Sequence, residues 1–258
     1  MRNTLLSAAS ILALTTSMAL ADNESTVTQT GAANAATVTQ NAGSLGVSTI
    51  TQDGDNGEAT VKQSDDDLFG NLSTITQSAD ADGAIAKVTQ NNTGAAAINT
   101  STINQATDGN ATVNQKGEAN TSNIQQIDAL GFGSMSNVNQ VGTNNASTIL
   151  QDGSNNMATV SQTGSDDTSM ISQDVDTSDS DVSVTQTGNT NNSSTATQIN
   201  TQMGSIDVNQ QGSNNVSNAT QTGSNNVTMT IKQKDGSNTS TADQLNAANS
   251  TTSVNQSG

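Results

Sequence analysis

The chain contains no cysteine, proline, histidine, tryptophan or tyrosine, and its only aromatic residues are Phe69 and Phe132. Each absence removes a class of explanation. Without cysteine there is neither disulfide nor thiol chemistry, so cysteine usage leaves the redox compartment open. Without proline, backbone hydrogen-bond ladders can run uninterrupted. Without histidine, the abundant serines lack their usual activator, and no enzyme is expected. With 30% hydrophobic and 1% aromatic residues, the chain cannot fill an ordinary globular core, and composition alone leans towards disorder. Basic residues are scarce as well: six Lys and Arg stand against 23 Asp and Glu, giving a formal charge of -17. That balance argues against nucleic acid as a partner. The acids read as a solvated face that keeps the chain from clumping.

Long apolar runs are missing too, apart from the N-terminus. Met1-Arg2-Asn3 is a short basic start, Leu5 to Leu14 is apolar, and Ala19-Leu20-Ala21 has the small-x-small form of a cleavage site. Residues 1–21 therefore read as a secretory signal peptide, and residues 22–258 as the mature chain. The apolar run is too short to span a bilayer, and no later segment could enter one. Loss of Arg2 leaves the mature chain with five lysines against 23 acids, a charge of -18.

What the sequence does have is glutamine at near-regular spacing. Gln29, Gln40, Gln52, Gln63, Gln77, Gln90, Gln105, Gln115, Gln126, Gln140, Gln151, Gln162, Gln173, Gln186, Gln198, Gln210, Gln221, Gln233, Gln244 and Gln256 recur about every 12 residues, enough for one strand and one turn. A short period sustained over a whole chain means stacked units, because one unit cannot bury its own apolar face. Alternate strand residues share a face, so each segment is read backwards from its glutamine in steps of two. Two kinds of segment alternate. In one kind the residue four before glutamine is always serine, from Ser25 to Ser240, and the residue six before is asparagine in eight of ten, with Gly46 and Asp167 the exceptions. In the other kind, alanine is favoured four before (Ala36, Ala59, Ala86, Ala111) and valine two before (Val38, Val61, Val88, Val113). The true repeat is thus two strands, and the chain makes about ten strand-turn-strand rungs.

The two kinds exchange volume near the C-terminus. Serine segments lose isoleucine and carry Ala196, Ala219 and Ala242, while the preceding alanine segments gain Val182, Ile206 and Met229. Close packing of the two strand types against each other would demand such an exchange. It predicts that Ala36 faces Ile50 and Ile206 faces Ala219. Glycine two residues after many glutamines, often followed by Ser-Asn-Asn, supplies turns with positive φ. Phe69 and Phe132 are expected in enlarged corner loops, and Asp65-Asp66-Asp67 and Asp166-Asp167 in solvated spacers.

Stacking such rungs about 4.8 Å apart sets each glutamine beneath its equivalent. Side-chain amides carry both donor and acceptor, so a column of them forms a continuous hydrogen-bonded ladder. Asparagine does the same across the turn. The ladder residues expected are the twenty glutamines above together with Asn34, Asn120, Asn145, Asn156, Asn215 and Asn238.

The spacing Gln-x4-Asn-x5-Gln runs unbroken from Gln29, Gln115, Gln140, Gln151, Gln210 and Gln233, and from Gln162 with Asp167 in place of asparagine. It closely resembles the curlin repeat, Ser-x5-Gln-x4-Asn-x5-Gln, of bacterial curli fibre subunits, over Asn23 to Gln256. The resemblance implies an all-β fold, a two-sheet parallel β-solenoid of cross-β, amyloid-like character. It implies a secreted subunit that polymerises outside the cell into adhesive biofilm-matrix fibres, with copies of itself, a nucleator subunit and an outer-membrane secretion apparatus as partners. This chain has more rungs and fewer aromatics than the family's usual subunits, and its repeats begin at Asn23 without a glycine-rich leader. Cofactors and metals are not implied. Asp53-Gly54-Asp55-Asn56-Gly57-Glu58 lacks the residue order of a calcium loop, which weakens the alternative of a calcium-stabilised adhesin. Asn104, Gln125 and Leu150 interrupt the threonine columns that an ice-binding solenoid would need.

Overall fold

The computed structural model describes residues 11–16, 23–41, 45–65, 70–94, 97–127, 133–174 and 176–258. Within them the β-branched and small residues that alternate before each glutamine form strands, as such residues favour a pleated, half-buried surface. In chain order these are β1 (Ile11–Thr16), β2 (Glu24–Gln29), β3 (Ala35–Asn41), β4 (Val47–Gln52), β5 (Glu58–Asp65), β6 (Leu72–Gln77) and β7 (Ile85–Asn92). There follow β8 (Thr100–Gln105), β9 (Gly109–Glu118), β10 (Thr121–Gln126), β11 (Ser134–Thr143), β12 (Ala146–Gln151), β13 (Met157–Ser165) and β14 (Thr168–Gln173). The last are β15 (Asp181–Thr190), β16 (Ser193–Ile199), β17 (Ser205–Ser213), β18 (Val216–Thr222), β19 (Thr228–Gly236), β20 (Thr239–Leu245) and β21 (Thr251–Ser257). No helix occurs among the described residues, so none is long and apolar enough to cross a membrane.

Odd-numbered strands β1 to β21 make one parallel sheet of 11 strands, sheet A, and even-numbered strands β2 to β20 make a second of 10, sheet B. The chain therefore crosses from one sheet to the other at every turn and climbs by one strand each time it returns. Each strand from β2 to β21 contains one of the twenty glutamines, which gives ten rungs from β2/β3 to β20/β21. The fold is a two-sheet parallel β-solenoid. Pairing is in register throughout sheet B, and serine sits on serine and glutamine on glutamine, as in Ser122↔Ser147↔Ser169 and Gln126↔Gln151↔Gln173. Sheet A keeps the same register but shifts once, between Thr163 and Ser165 where β13 meets β15. β1 lies beside β3 with Leu12 opposite Ala36 and Leu14 opposite Val38.

Between the sheets runs one apolar cluster. Sheet A contributes its alanine and valine files and sheet B its isoleucine file from Ile50 to Ile171, then Ala196, Ala219 and Ala242. The serine file of sheet B is buried beside them, and its ten hydroxyls have no hydrogen-bond partner. A buried hydroxyl without a partner costs stability, about 1–3 kcal/mol, and gives none. Serine is there for its volume, which lets the sheets approach as closely as alanine does in sheet A.

The corners explain the turn residues. Asn214 and Asn144 take φ of 57° and 56°, a left-handed conformation that asparagine tolerates, while the following Asn215 and Asn145 point inward and are buried. Gly142 has φ of 121°, and a Cβ there would lie 1.9 Å from Gly164 O of the next rung. Only glycine fits so close a backbone approach. Phe69, Phe132 and Asp66-Asp67 fall outside the described residues.

Candidate functional site

The glutamines of each sheet stand in one file along the axis. In sheet B, the Nε2 of Gln29 donates to Gln52 Oε1, and the same bond repeats at 2.7–3.0 Å through Gln77, Gln105, Gln126, Gln151, Gln173, Gln198, Gln221 and Gln244. In sheet A it runs at 2.8–3.0 Å from Gln40 through Gln63, Gln90, Gln115, Gln140, Gln162, Gln186, Gln210 and Gln233 to Gln256. Every one of these bonds donates towards the C-terminal end. The second N–H of the amide reaches the other sheet: Gln140 donates to Thr121 O at 2.9 Å and Gln186 to Thr168 O at 2.9 Å. Such a glutamine ties its rung to the next and one sheet to the other. Burying these amides without partners would cost several kcal/mol each, on the order of 2–7 kcal/mol, and the stacking removes that cost.

The asparagine file at the start of the sheet B strands runs the opposite way. Asn99 Nδ2 donates back to Asn71 Oδ1, Asn120 to Asn99 and Asn145 to Asn120, each at 3.1 Å. Asn215 and Asn238 continue it from Asn192, each again at 3.1 Å. The same amides also hold the corner of the rung above, as when Asn120 Nδ2 donates to Gly142 O at 2.9 Å. Asn34 and Asn156 do not join this file. They open sheet A strands, where the stacked equivalents are not amides, and their amides serve backbone groups instead: Asn34 Nδ2 donates to Gly54 O at 2.7 Å and Asn156 Nδ2 to Thr177 O at 3.0 Å. The reversed direction of the asparagine file has no signature in the sequence, because an amide can be oriented either way.

Asp167 stands in the asparagine file and corrects the solvated placement that its acidic neighbour suggests. Asp166 is exposed, but Asp167 is 0% exposed. Its Oδ1 accepts from Asn192 N at 2.9 Å and Asn192 Nδ2 at 3.0 Å, while its Oδ2 is buried without a partner. By the pattern of the neighbouring rungs, an amide here would donate to Asn145 Oδ1 and Gly188 O. A carboxylate has no proton to give them. Burial pushes the Asp167 carboxyl above its ordinary range, the Asn192 bonds oppose this, and the Asp166 charge adds to it. Burial likewise raises Asp181, and burial together with the Asp82 charge raises Asp108.

All three shifts have one sign. A group whose pKa is higher folded than unfolded binds its proton more tightly in the folded state, so stability is full at acid pH and falls as pH rises through the folded pKa. Asp167→Asn supplies the missing donor without charge. It is expected to stabilise the chain at neutral pH by about 1–3 kcal/mol and to flatten the acid limb of a stability–pH profile measured by denaturant melts.

No three His, Cys, Asp or Glu residues among those described are grouped to hold a metal ion. A family model described as curlin associated repeat matches residues 134–164. That stretch holds β11, β12 and nearly all of β13, with the Gln140-Asn145-Gln151-Asn156-Gln162 spacing. Residues 134–164 therefore carry a curlin-type repeat. A comparison with curated proteins gave no match. The repeat model covers one and a half rungs, and the same registered amide files extend above and below it through the other rungs. Curlin-repeat subunits are structural proteins of self-assembling fibres, and stacked amide files suit such a role.

Proposed function

We propose that this chain is a secreted structural subunit that joins end to end with its own copies into extracellular, curli-like amyloid fibres serving adhesion and the biofilm matrix. The observation that carries this reading is the complementarity of the two end rungs. At the C-terminal end, Gln244 and Gln256 are the last members of files whose amides donate onwards, and Asn238 ends a file whose Oδ1 atoms accept from the rung above. At the N-terminal end, Gln29 and Gln40 begin the same files from the accepting side. A second copy stacked head to tail would set Gln29 on Gln244, Gln40 on Gln256 and Asn23 on Asn238, and continue every file. Head-to-head stacking would set donor against donor. Val27 and Val254, in the end strands β2 and β21, are the hydrophobic residues left partly exposed against the core, and the same stacking would bury them.

Removal of residues 1–21 would take β1 away and free the β3 edge for such a partner. A nucleator subunit and an outer-membrane secretion apparatus are the remaining partners in this reading, and the cell-surface fibre, or fimbrium, is its location.

Residues 22–258, incubated in buffer, should form unbranched fibres with a meridional spacing of about 4.7–4.8 Å. A folded monomer that stays monomeric at high concentration would overturn the proposal. Since the subunit carries a charge of -18, sodium chloride should shorten the lag by screening repulsion, the Debye length being about 10 Å at 0.1 M. A lag shortened by calcium, and not by sodium at matched ionic strength, would point to a metal-dependent adhesin instead.

A further inference from the structure

The two outward faces of the solenoid differ in charge. All five lysines of the mature chain lie on sheet A strands: Lys62, Lys87, Lys116, Lys232 and Lys234. Acids accompany them there, with Glu58, Asp181 and Asp207 outward on the same sheet. Sheet B is different. From β4 to β18, no outward side chain within a strand is charged, and the first charges met are Glu24 in β2 and Asp243 in β20. The acids that follow sheet B strands, such as Asp53 and Asp152, stand past the glutamine at the corner, outside the face. A chain of formal charge -17 has therefore kept one whole broad face neutral. That face is threonine-rich, with Val47, Leu72, Leu150, Met170 and Val216 among its outward residues, and Met170 and Val216 are 44% and 43% exposed.

Sheet B is also the more regular surface. Its strands are six or seven residues long and pair without a register shift, whereas those of sheet A run from six to ten residues and shift beside Ser165. Eight strands about 4.8 Å apart, each about 20 Å long, present roughly 750 Å². A stable protein–protein interface takes about 800 Å² from each partner. Threonine methyls and hydroxyls, with scattered aliphatic side chains, can pack against a like surface and leave no charge buried, which is the costly error at an interface.

We propose that the outward face of sheet B is a lateral docking surface for the same face of a second copy, so that solenoids pair side by side with their acids and lysines turned outward. In a fibre this makes the filament two solenoids thick. The lateral contact rests on the assembly reading only for its setting in fibres, because soluble chains could pair by the same face.

The test places three charges on that face: Thr102→Asp, Thr148→Asp and Thr195→Asp, in β8, β12 and β16. The control places three at the equivalent outward column of sheet A: Thr112→Asp, Thr159→Asp and Thr230→Asp. Lys87 already occupies that column, so a charged side chain there is compatible with a rung. Mass per unit length, read by scanning transmission microscopy, should be that of two chains abreast for the unaltered protein and the sheet A variant. It should halve for the sheet B variant, with the strand spacing retained. A matching variant with lysine at the same three sheet B positions should also halve it, and mixing the aspartate and lysine variants should restore the doubled value. If the chain forms no fibre, the assembly reading fails but the pairing is still read, as a dimer that becomes a monomer in analytical ultracentrifugation of the sheet B variants. Single-solenoid width in the unaltered protein, doubled width that survives in both sheet B variants, or loss of pairing in the sheet A control would each overturn the proposal.

Discussion

Gln140→Leu is expected to destabilise the assembled chain by several kcal/mol although leucine is the more hydrophobic residue. Gln140 is 0% exposed. It accepts from Gln115 Nε2 at 2.9 Å and donates to Gln162 Oε1 at 2.8 Å and Thr121 O at 2.9 Å. Leucine removes all three partners and orphans one donor and two acceptors, each costing about 1–3 kcal/mol when buried. The gain from burying leucine, roughly 1.5–3 kcal/mol, does not offset that. Gln140→Glu keeps the shape. Its protonated form restores one donor, so its deficit should shrink as pH falls, while that of leucine stays constant. Asn137→Ala, at an exposed position of the same strand, should stay within about 0.5 kcal/mol of the parent. Guanidinium dissociation of preformed fibres measures all three. If Gln140→Leu proves no weaker than Asn137→Ala, the amide file is not what holds the rungs together.

The rung could be read from the sequence because a period-two strand and a turn leave a strong signature in so simple a chain. Glutamine recurs in every strand from β2 to β21, and serine stands four before it in every sheet B strand, whereas in sheet A only β11 has serine there, at Ser136. The identity of stacked residues fixes the register, since a slip of one residue would turn Ile124 outwards and Gln125 inwards. Other features were out of reach. Asn34 and Asn156 share the Gln-x4-Asn-x5-Gln spacing with Asn120 and Asn145, yet they occupy the sheet whose stacked positions are Gly57 and Ser180. Spacing along the chain does not say which neighbour lies above. Asp167 looked solvated because it follows Asp166, but its place six before Gln173 puts it in the buried file, and place in the rung outweighs local composition. The neutrality of sheet B was present in the sequence as well. It becomes visible once the outward residues of alternate strands are brought onto a single face.

The exchange of bulk between the sheets gives the other large effect. Val182, Ile206 and Met229 stack in one file of sheet A, and Ala196, Ala219 and Ala242 in one file of sheet B. Ile206 is 1% exposed and Ala219 0%, within the same apolar cluster. Ile206→Ala should therefore leave a void that Ala219 cannot fill, at a cost of about 2–5 kcal/mol. Ala219→Ile alone should overpack the same space and cost about 1–3 kcal/mol. The double variant Ile206→Ala with Ala219→Ile recreates the alanine and isoleucine arrangement of Ala36 with Ile50, so it should recover most of both losses. Its coupling should exceed the few tenths of a kcal/mol, about 0.3–0.5, within which independent sites add. Denaturant dissociation of fibres of the four proteins supplies the cycle. A double variant as weak as the sum of the singles would mean that these two files do not face each other. The volume exchanged along the chain would then have to be absorbed within each sheet, between rungs, and not across the core.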